Sequence, residues 1–160
     1  MKIAEVESFA ISIPLKEPVS FATRTVEERD HAITYVRTTD GTEGVGYSLG
    51  YGGSQVVADA VTDVLAEMVV GEDQRDTERL WREMFDGTVQ IGRKGVLLRA
   101  IATVDIALWD IAAQAADAPS YKYLGASTET VPAYASAGYS RDEKGLSGLR
   151  EALQRYVDRG

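Results

Sequence analysis

The sequence predicts an α+β fold in which a three-stranded antiparallel sheet is followed by a three-helix bundle and then by one strand and one helix. Three observations support this prediction. Residues 3–49 hold β-rich, largely alternating runs, residues 54–116 repeat apolar side chains every three or four positions, and residues 131–138 return to a strand-like composition. Strands have a side-chain period of two and helices one of about 3.6, so these patterns give the order of elements.

The sheet is predicted from three β-rich runs near the start of the chain. Apolar side chains alternate along the first strand, residues 3–13, which Pro14 is expected to end. Asp40 and Gly41 separate the other two runs. Asp-Gly between such runs is a strong hairpin signal, because both central positions tolerate positive φ. Three antiparallel strands follow.

Three helices are predicted after the sheet. Ser54 is the expected N-cap of the first, and Gly71 lies where a C-terminal cap is expected. The second helix is predicted over 77–85 and the third over 95–116, before Pro119. The side chains expected to be buried are Val57, Val61, Val64, Leu65, Met68, Leu80, Trp81, Met84, Ile101, Val104, Leu108, Ile111 and Ala115.

A single strand and helix are predicted at the end. Residues 131–138, VPAYASAG, have a strand-like composition, and residues 141–159 carry apolar side chains in helical phase. This unit has no parallel neighbour within the 160 residues, which is unusual for a βα unit on its own.

Composition excludes several classes of protein. Seventeen basic and 25 acidic residues give a net charge of -8 without any block of like charge. A nucleic-acid or anionic-membrane surface needs clustered Lys and Arg, so neither partner is expected. The absence of cysteine excludes disulfides and thiolate metal sites, and no run resembles a signal peptide or a membrane span. We expect a cytoplasmic protein.

The glycine-rich stretch GYSLGYGGSQVV, residues 46–57, allows more than one interpretation. Gly44, Gly46 and Gly50 come within one residue of the G-x-G-x-x-G spacing of a dinucleotide-binding motif. They lie in a predicted strand that leads to no helix at the required point, so a phosphate site is the weakest interpretation. A structural loop between sheet and helix and a mobile rim loop both remain open, since glycines permit motion and tyrosines offer contact area.

No catalytic constellation can be assembled from the residue types alone. His31 is the single histidine and is more typical of a surface strand residue than of a catalytic base. Asp105 and Asp110 point about 140° apart around a helix, so they cannot form a carboxylate pair and are expected to accept structural hydrogen bonds.

Two segments nevertheless resemble a known family. The pattern AxxxxDxAxWD spans Ala100 to Asp110, and P-x-Y-K-x-L-G follows at residues 119–125, before VPAYASAGY. In this order and spacing they resemble the enolase superfamily, in its mandelate racemase and muconate-lactonizing branch. The resemblance covers essentially all 160 residues, including IPLKEP and the TTDGTEGVGY hairpin.

The resemblance implies two domains. Residues 1–126 would form an enolase N-terminal-like capping domain, and residues 127–160 would begin a TIM-type (β/α) barrel, giving its first βα unit without completing it. The cap of this family closes over the barrel mouth with two loops, which would lie at about residues 16–28 and 46–55. On this interpretation the glycine-rich stretch belongs to the second closing loop.

The resemblance also implies a site and a reaction. Substrate-binding residues would be Phe21, Arg24 and Tyr51 on the closing loops and Ser136 near the end of the first barrel strand. The reaction would be abstraction of the proton α to a carboxylate, of the racemase or acid-sugar dehydratase type, in a homo-oligomer. The catalytic bases and the ligands of the Mg cofactor belong to later barrel strands, so no catalytic residue and no metal ligand is expected in this chain.

An alternative interpretation remains open. The 160 residues would be a non-catalytic fragment or a self-associating domain, because the catalytic barrel residues are absent. A strand at 131–138 without neighbours would also leave backbone groups and apolar surface exposed.

Overall fold

The structure is a computed structural model that describes residues 1–21, 23–134, 136 and 145–159, and only the backbone at residue 21. The chain forms two compact units. The first consists of Met1–Ile13 and Arg29–Ser127, and the second of Pro14–Glu28 and Thr128–Gly160.

The predicted three-stranded antiparallel sheet is confirmed. Its strands are β1, Ile3–Phe21, β2, Arg24–Thr38, and β3, Glu43–Leu49, in the order β1-β2-β3. The β2 and β3 strands pair antiparallel from Arg37 opposite Glu43 to His31 opposite Leu49. At the predicted hairpin turn, Gly41 has a φ of +88° and the Gly41 N–H donates to Thr38 O over 3.0 Å.

The first strand extends further than predicted. Pro14 was expected to end it, but β1 continues through Pro14 and Pro18 to residue 21. The reason is the strand order: β1 is an edge strand, and an edge position tolerates a residue that lacks an N–H donor. Most of the segment predicted as a loop at 16–28 therefore lies in β1, which ends at Phe21, and in β2, which begins at Arg24.

Six helices follow in the part of the chain that the structure describes. They are α1, Ser54–Ala60, α2, Ala66–Val69, α3, Thr77–Gly87, α4, Val96–Ala115, α5, Ser120–Tyr123, and α6, Gly145–Val157. A π-helical turn, Val61–Leu65, joins α1 to α2, so these three pieces correspond to the first predicted helix. The second and third predicted helices are confirmed as α3 and α4, with Gly95 as the N-cap of α4.

One predicted cap is wrong. Ser54 is the first residue of α1 and Gly53 is its N-cap, with no side-chain capping bond from that residue. The Ser54 hydroxyl donates instead to the carboxylate of Asp30 on β2, over 2.8 Å. A carboxylate from a neighbouring strand thus takes the place of the expected local cap.

The core of the first unit combines one sheet face with the inner faces of α1 to α4. Most of the predicted apolar stripe is buried, whereas Val64, Met68 and Trp81 are partly buried and Ala115 is exposed. The buried hydrophobic cluster consists of Ile3, Ala32, Val36, Val57, Ala58, Val61, Leu65, Val69, Leu80, Met84, Ala100, Ile101, Val104, Ala107, Leu108 and Ile111.

Helix α4 packs directly on the backbone of β3. A Cβ atom at Gly46 would lie 1.9 Å from Thr103 O, and one at Gly44 would lie 2.1 Å from Ala107 O. The two glycines are two residues apart on one face of a strand, and their helix partners are four residues apart on one face of a helix. Any side chain at these glycines would therefore force the helix away from the sheet.

A chain of hydroxyl groups joins the sheet to α4. Thr34 Oγ1 donates to Thr103 Oγ1 over 2.9 Å, and Thr103 Oγ1 donates to Ala100 O over 2.8 Å. Ser8 Oγ lies 3.0 Å from Thr34 Oγ1 and donates to Ile33 O over 2.9 Å. Because Thr34 and Thr103 are buried, these bonds satisfy polar groups that would otherwise destabilise the core.

The second unit contains the far part of the β1–β2 hairpin and α6. Ser20 Oγ and Thr25 Oγ1 lie 3.1 Å apart across the hairpin. The strand predicted at 131–138 is not found in its described part, since residues 131–134 and 136 belong to no strand. A barrel strand is held by parallel neighbours, and none is present among the described residues. The rest of this strand and the start of the helix predicted from 141 lie outside the described residues.

Substituting Gly46 tests the packing of α4 on β3. We expect Gly46→Ala to lower the free energy of unfolding by about 3 kcal/mol, the upper part of the range for overpacked cores, because a backbone carbonyl cannot rotate out of the way. Gly53→Ala is the matched control, since its Cβ would lie 3.4 Å from Gly50 O and its φ is -126°.

The control Gly53→Ala should lower the free energy of unfolding by about 1 kcal/mol or less, the usual effect of placing alanine at an N-cap. Urea unfolding of both variants measures the difference. Equal losses in the two variants would contradict close backbone packing at Gly46.

Candidate functional site

The candidate site is the loop from Gly50 to Gly53, which joins β3 to α1. The Gly53 N–H donates to Gly50 O over 3.1 Å, and the two residues between them have positive φ, +53° at Tyr51 and +88° at Gly52. Two consecutive positive φ values are typical of a type I′ turn. Tyr51 is thus a bulky residue in a left-handed conformation, which costs on the order of 1 kcal/mol and requires support from its surroundings.

Asp30 supplies part of that support from the neighbouring strand. Its carboxylate accepts the Gly52 N–H at 2.9 Å, the Ser54 N–H at 3.1 Å and the Ser54 hydroxyl at 2.8 Å. The Asp30 carbonyl also accepts the Gly50 N–H at 2.9 Å. These bonds satisfy amide groups at the N-terminus of α1, where a negative charge is also favoured by the helix dipole.

The environment of Asp30 lowers its pKa. Burial alone would raise the pKa, but the hydrogen bonds from Gly52 and Ser54 outweigh burial and lower the pKa of Asp30 to about 2. The carboxylate is therefore ionised at neutral pH, when it is the acceptor that the loop requires.

Gly50 is required by the closeness of these groups. A Cβ at Gly50 would lie 1.8 Å from Ser54 Oγ and 2.5 Å from Asp30 Oδ2. The glycines between residues 44 and 52 thus serve close approach at Gly44, Gly46 and Gly50 and backbone conformation at Gly52. Of the interpretations left open by the sequence, this geometry favours a structural loop.

Arg99 supports the loop from α4. Its guanidinium donates to Leu49 O over 2.7 Å and lies 5.1 Å from the centre of the Tyr51 ring. A guanidinium at this distance from an aromatic ring makes a cation–π contact. Tyr51 is nevertheless 59% exposed, so the residue is held by Arg99 and still open to solvent.

The other predicted substrate-binding residues lie in the second unit. Phe21 is the last residue of β1, and its side chain lies outside the described residues. Arg24 is the first residue of β2 and is exposed, and Ser136 is exposed and lies outside any helix or strand. The binding roles of Phe21, Arg24, Tyr51 and Ser136 stay predictions.

Asp30 and Arg99 were missed in the sequence because each acts on residues far from it along the chain. Asp30 stands just before the alternating stretch HAITYVR, where an acidic residue resembles a turn residue. Arg99 is a cation within the apolar run VLLRAIATV. A charged residue in such a run is the one sequence feature that could have indicated a specific partner for Arg99.

The acidic residues of α4 have structural roles. The Asp110 carboxylate accepts the Val45 N–H at 3.0 Å, which confirms the expected structural hydrogen bond. Burial raises the pKa of Asp105, and a hydrogen bond with Trp109 opposes part of that shift. Over residues 1–21, 23–134, 136 and 145–159, no group of three or more His, Cys, Asp or Glu side chains is arranged to hold a metal.

Comparison with known proteins identifies the family. Residues 3–125 match the model of the mandelate racemase / muconate lactonizing enzyme N-terminal domain. The chain belongs to this family. Arabinonate dehydratase from Saccharolobus solfataricus is 39% identical over 127 residues, which cover 79% of this chain and 34% of the relative.

Solved structures of the enolase superfamily share the fold. A member from Polaromonas sp. JS666 has a TM-score of 0.87 and 28% identity, with coverage of 100% of this chain and 42% of that chain. L-talarate/galactarate dehydratase from Salmonella typhimurium LT2, liganded with Mg and L-lyxarohydroxamate, has a TM-score of 0.75 and 31% identity over 81% of this chain and 35% of that chain.

The chain thus contains an α+β capping domain of the mandelate racemase and muconate lactonizing enzyme family, as the sequence resemblance implied. It spans about a third of the length of the curated relatives it matches, 34% and 33% for two dehydratases. No helix in the described part of the chain is long and apolar enough to cross a membrane.

Removing the Asp30 carboxylate should change how stability depends on pH. Its folded pKa of about 2 lies below the usual value near 3.9, so its stabilising effect is present above about pH 4 and is lost as the pH falls towards 2. We expect Asp30→Ala to lower the free energy of unfolding by about 1 kcal/mol at neutral pH, the usual size for a lost helix cap. The loss should become smaller as the pH falls through this window.

Urea unfolding of wild type and variant between neutral and acidic pH measures this difference. Asp86→Ala is the control, since Asp86 is exposed and lies 3.8 Å from Arg93. A difference between wild type and Asp30→Ala that stays constant down to pH 2 would contradict the role of the ionised carboxylate.

Proposed function

We propose that this chain is the capping part of a magnesium-dependent enzyme that abstracts the proton α to the carboxylate of an acid sugar, in a racemase or dehydratase reaction. Residues 1–126 are the cap, and residues 127–160 begin the barrel. The relatives support the substrate class, since they include dehydratases of arabinonate, of L-talarate and galactarate, and of L-rhamnonate.

The observation that carries this proposal is the Tyr51 loop within a cap-family fold. Tyr51 is exposed and lies on a turn that is hydrogen-bonded to β2, while Arg99 of α4 contacts its ring. An aromatic ring held in this way can pack against the C–H groups of a sugar acid with little loss of conformational freedom. In this proposal Arg24 attracts a distal carboxylate of the substrate, and Phe21 and Ser136 make further contacts.

The chain's contribution is to bind, orient and shield the substrate. A cap that closes over a barrel excludes water and selects substrates by their shape. Magnesium, bound in the barrel of the full-length protein, would stabilise the charge that develops on the substrate carboxylate. The general base belongs to that barrel as well, so the 160 residues by themselves are expected to be inactive.

Self-association of this chain is the second candidate. Helix α6 buries none of its residues, and Leu146 and Val157 are 86% and 72% exposed. Exposed apolar side chains on one helix favour association with a second apolar surface. Light scattering over a range of concentrations tests this candidate, and a monomer at every concentration would count against it.

The enzyme proposal is tested with the longest natural protein that contains these residues. We expect magnesium-dependent formation of a keto acid or an epimer from at least one acid sugar in a panel of arabinonate, galactarate, L-talarate and L-rhamnonate, and no turnover by the 160-residue chain. Product analysis by NMR distinguishes racemisation from loss of water. A full-length protein that converts none of these acids and no other carboxylate would contradict the proposal.

The proposed role of Arg24 is tested by comparing acid sugars with one and two carboxylates. We expect Arg24→Met to lower kcat/KM for a diacid such as galactarate about tenfold more than for a monoacid such as arabinonate, because a charge-assisted contact is lost. Arg24→Lys is the control and should retain part of this preference. An equal loss for both classes of acid would contradict a contact with the distal carboxylate.

A further inference from the structure

We propose that Asp30 and Arg99 are positioning residues that hold Tyr51 as a preformed contact, so that the Gly50–Gly53 loop is a fixed wall of the site and not a hinged lid. The substrate-binding part of this inference rests on the proposed function. The rigidity of the loop does not, because it concerns this chain alone.

The backbone of the loop is held at several points. The Gly50, Gly52 and Ser54 N–H groups donate to Asp30, and the Gly53 N–H donates to Gly50 O. A hinge must break such bonds or exchange them for others as it moves. Releasing Gly52 and Ser54 would leave an ionised carboxylate without its donors, which makes opening unfavourable.

The two supports come from different elements. Asp30 lies on β2, and Arg99 lies on α4 and donates to Leu49 O. Helix α4 is itself fixed by its backbone contact with β3 at Gly46. The strand and the helix are packed in the same core. A loop that is held by both of them cannot rotate as a hinge without breaking contacts with one of them.

The backbone conformation of Tyr51 also indicates a loop that is held in place. Its φ of +53° is unfavourable for a bulky residue, and such strain persists only where the surroundings determine it. The Arg99 guanidinium, 5.1 Å from the ring centre, covers part of the ring, while 59% of the side chain stays exposed. The ring is thus held by Arg99 while Tyr51 as a whole stays largely exposed.

NMR of the 160-residue chain tests the rigidity. In wild type we expect heteronuclear NOE values for the Gly52 and Gly53 amides close to those of β3. We expect Arg99→Ala to increase amide exchange at Gly52 about tenfold, the effect of losing one cation–π contact and one hydrogen bond. Arg82→Ala is the control, since Arg82 is exposed on α3 and lies 4.0 Å from Glu78.

Arg99→Lys separates charge from shape. It keeps a positive charge and a donor for Leu49 O but lacks the planar guanidinium over the Tyr51 ring. We expect exchange at Gly52 to lie between the rates of wild type and Arg99→Ala. Loop amides as mobile in wild type as the chain ends, or unchanged by Arg99→Ala, would overturn the inference.

A double-mutant cycle in the full-length enzyme tests the positioning role. We expect Arg99→Ala to lower kcat/KM about tenfold, mainly through KM, and to have no further effect when Tyr51→Ala is already present. Additive losses would show that Arg99 acts on stability and not through Tyr51, which would overturn its positioning role. If the loop is rigid but Tyr51→Ala leaves kcat/KM unchanged, the proposed contact between Tyr51 and the substrate is wrong. The proposed rigidity of the loop is then still supported.

Discussion

The close packing of α4 against β3 is the constraint on which the rest of the first unit depends. Backbone contact at Gly44 and Gly46 leaves no room for side chains, so the helix lies directly on the strand backbone. In this position the Asp110 carboxylate accepts the Val45 N–H, and the buried Thr34 hydroxyl on β2 donates to the Thr103 hydroxyl on α4. Such contacts are tight and polar, so they specify geometry more strongly than apolar burial alone.

The same packing positions the Gly50–Gly53 loop. Because α4 is fixed, Arg99 reaches Leu49 O and the Tyr51 ring, while Asp30 holds the loop from β2. Glycines that suggest mobility when they are considered as sequence therefore produce close approach and a defined turn. In the proposed enzyme, this loop presents an aromatic ring to an acid sugar without first having to be ordered, which reduces the cost of binding.

Much of this fold could be predicted from the sequence because hydrophobic periodicity is local, and the strands β2 and β3 and the helices α3 and α4 follow from it. The continuation of β1 past Pro14 could not, because it depends on β1 being an edge strand. The true partner of Ser54 could not either, since Asp30 lies 24 residues earlier and meets it only in the fold. Tyr51 was found as an exposed aromatic residue, whereas its supports depend on tertiary contacts.

The packing of α4 on β3 is tested most directly by a NOESY spectrum of the isotopically labelled chain. We expect cross-peaks between the Gly46 Hα protons and the backbone protons of Thr103 and its neighbours on α4, together with cross-peaks between the Tyr51 ring and the Arg99 side chain. Both sets together would show that one helix packs on β3 and supports the loop. Absence of the Gly46 cross-peaks in a folded protein would contradict the close packing on which the fixed loop depends.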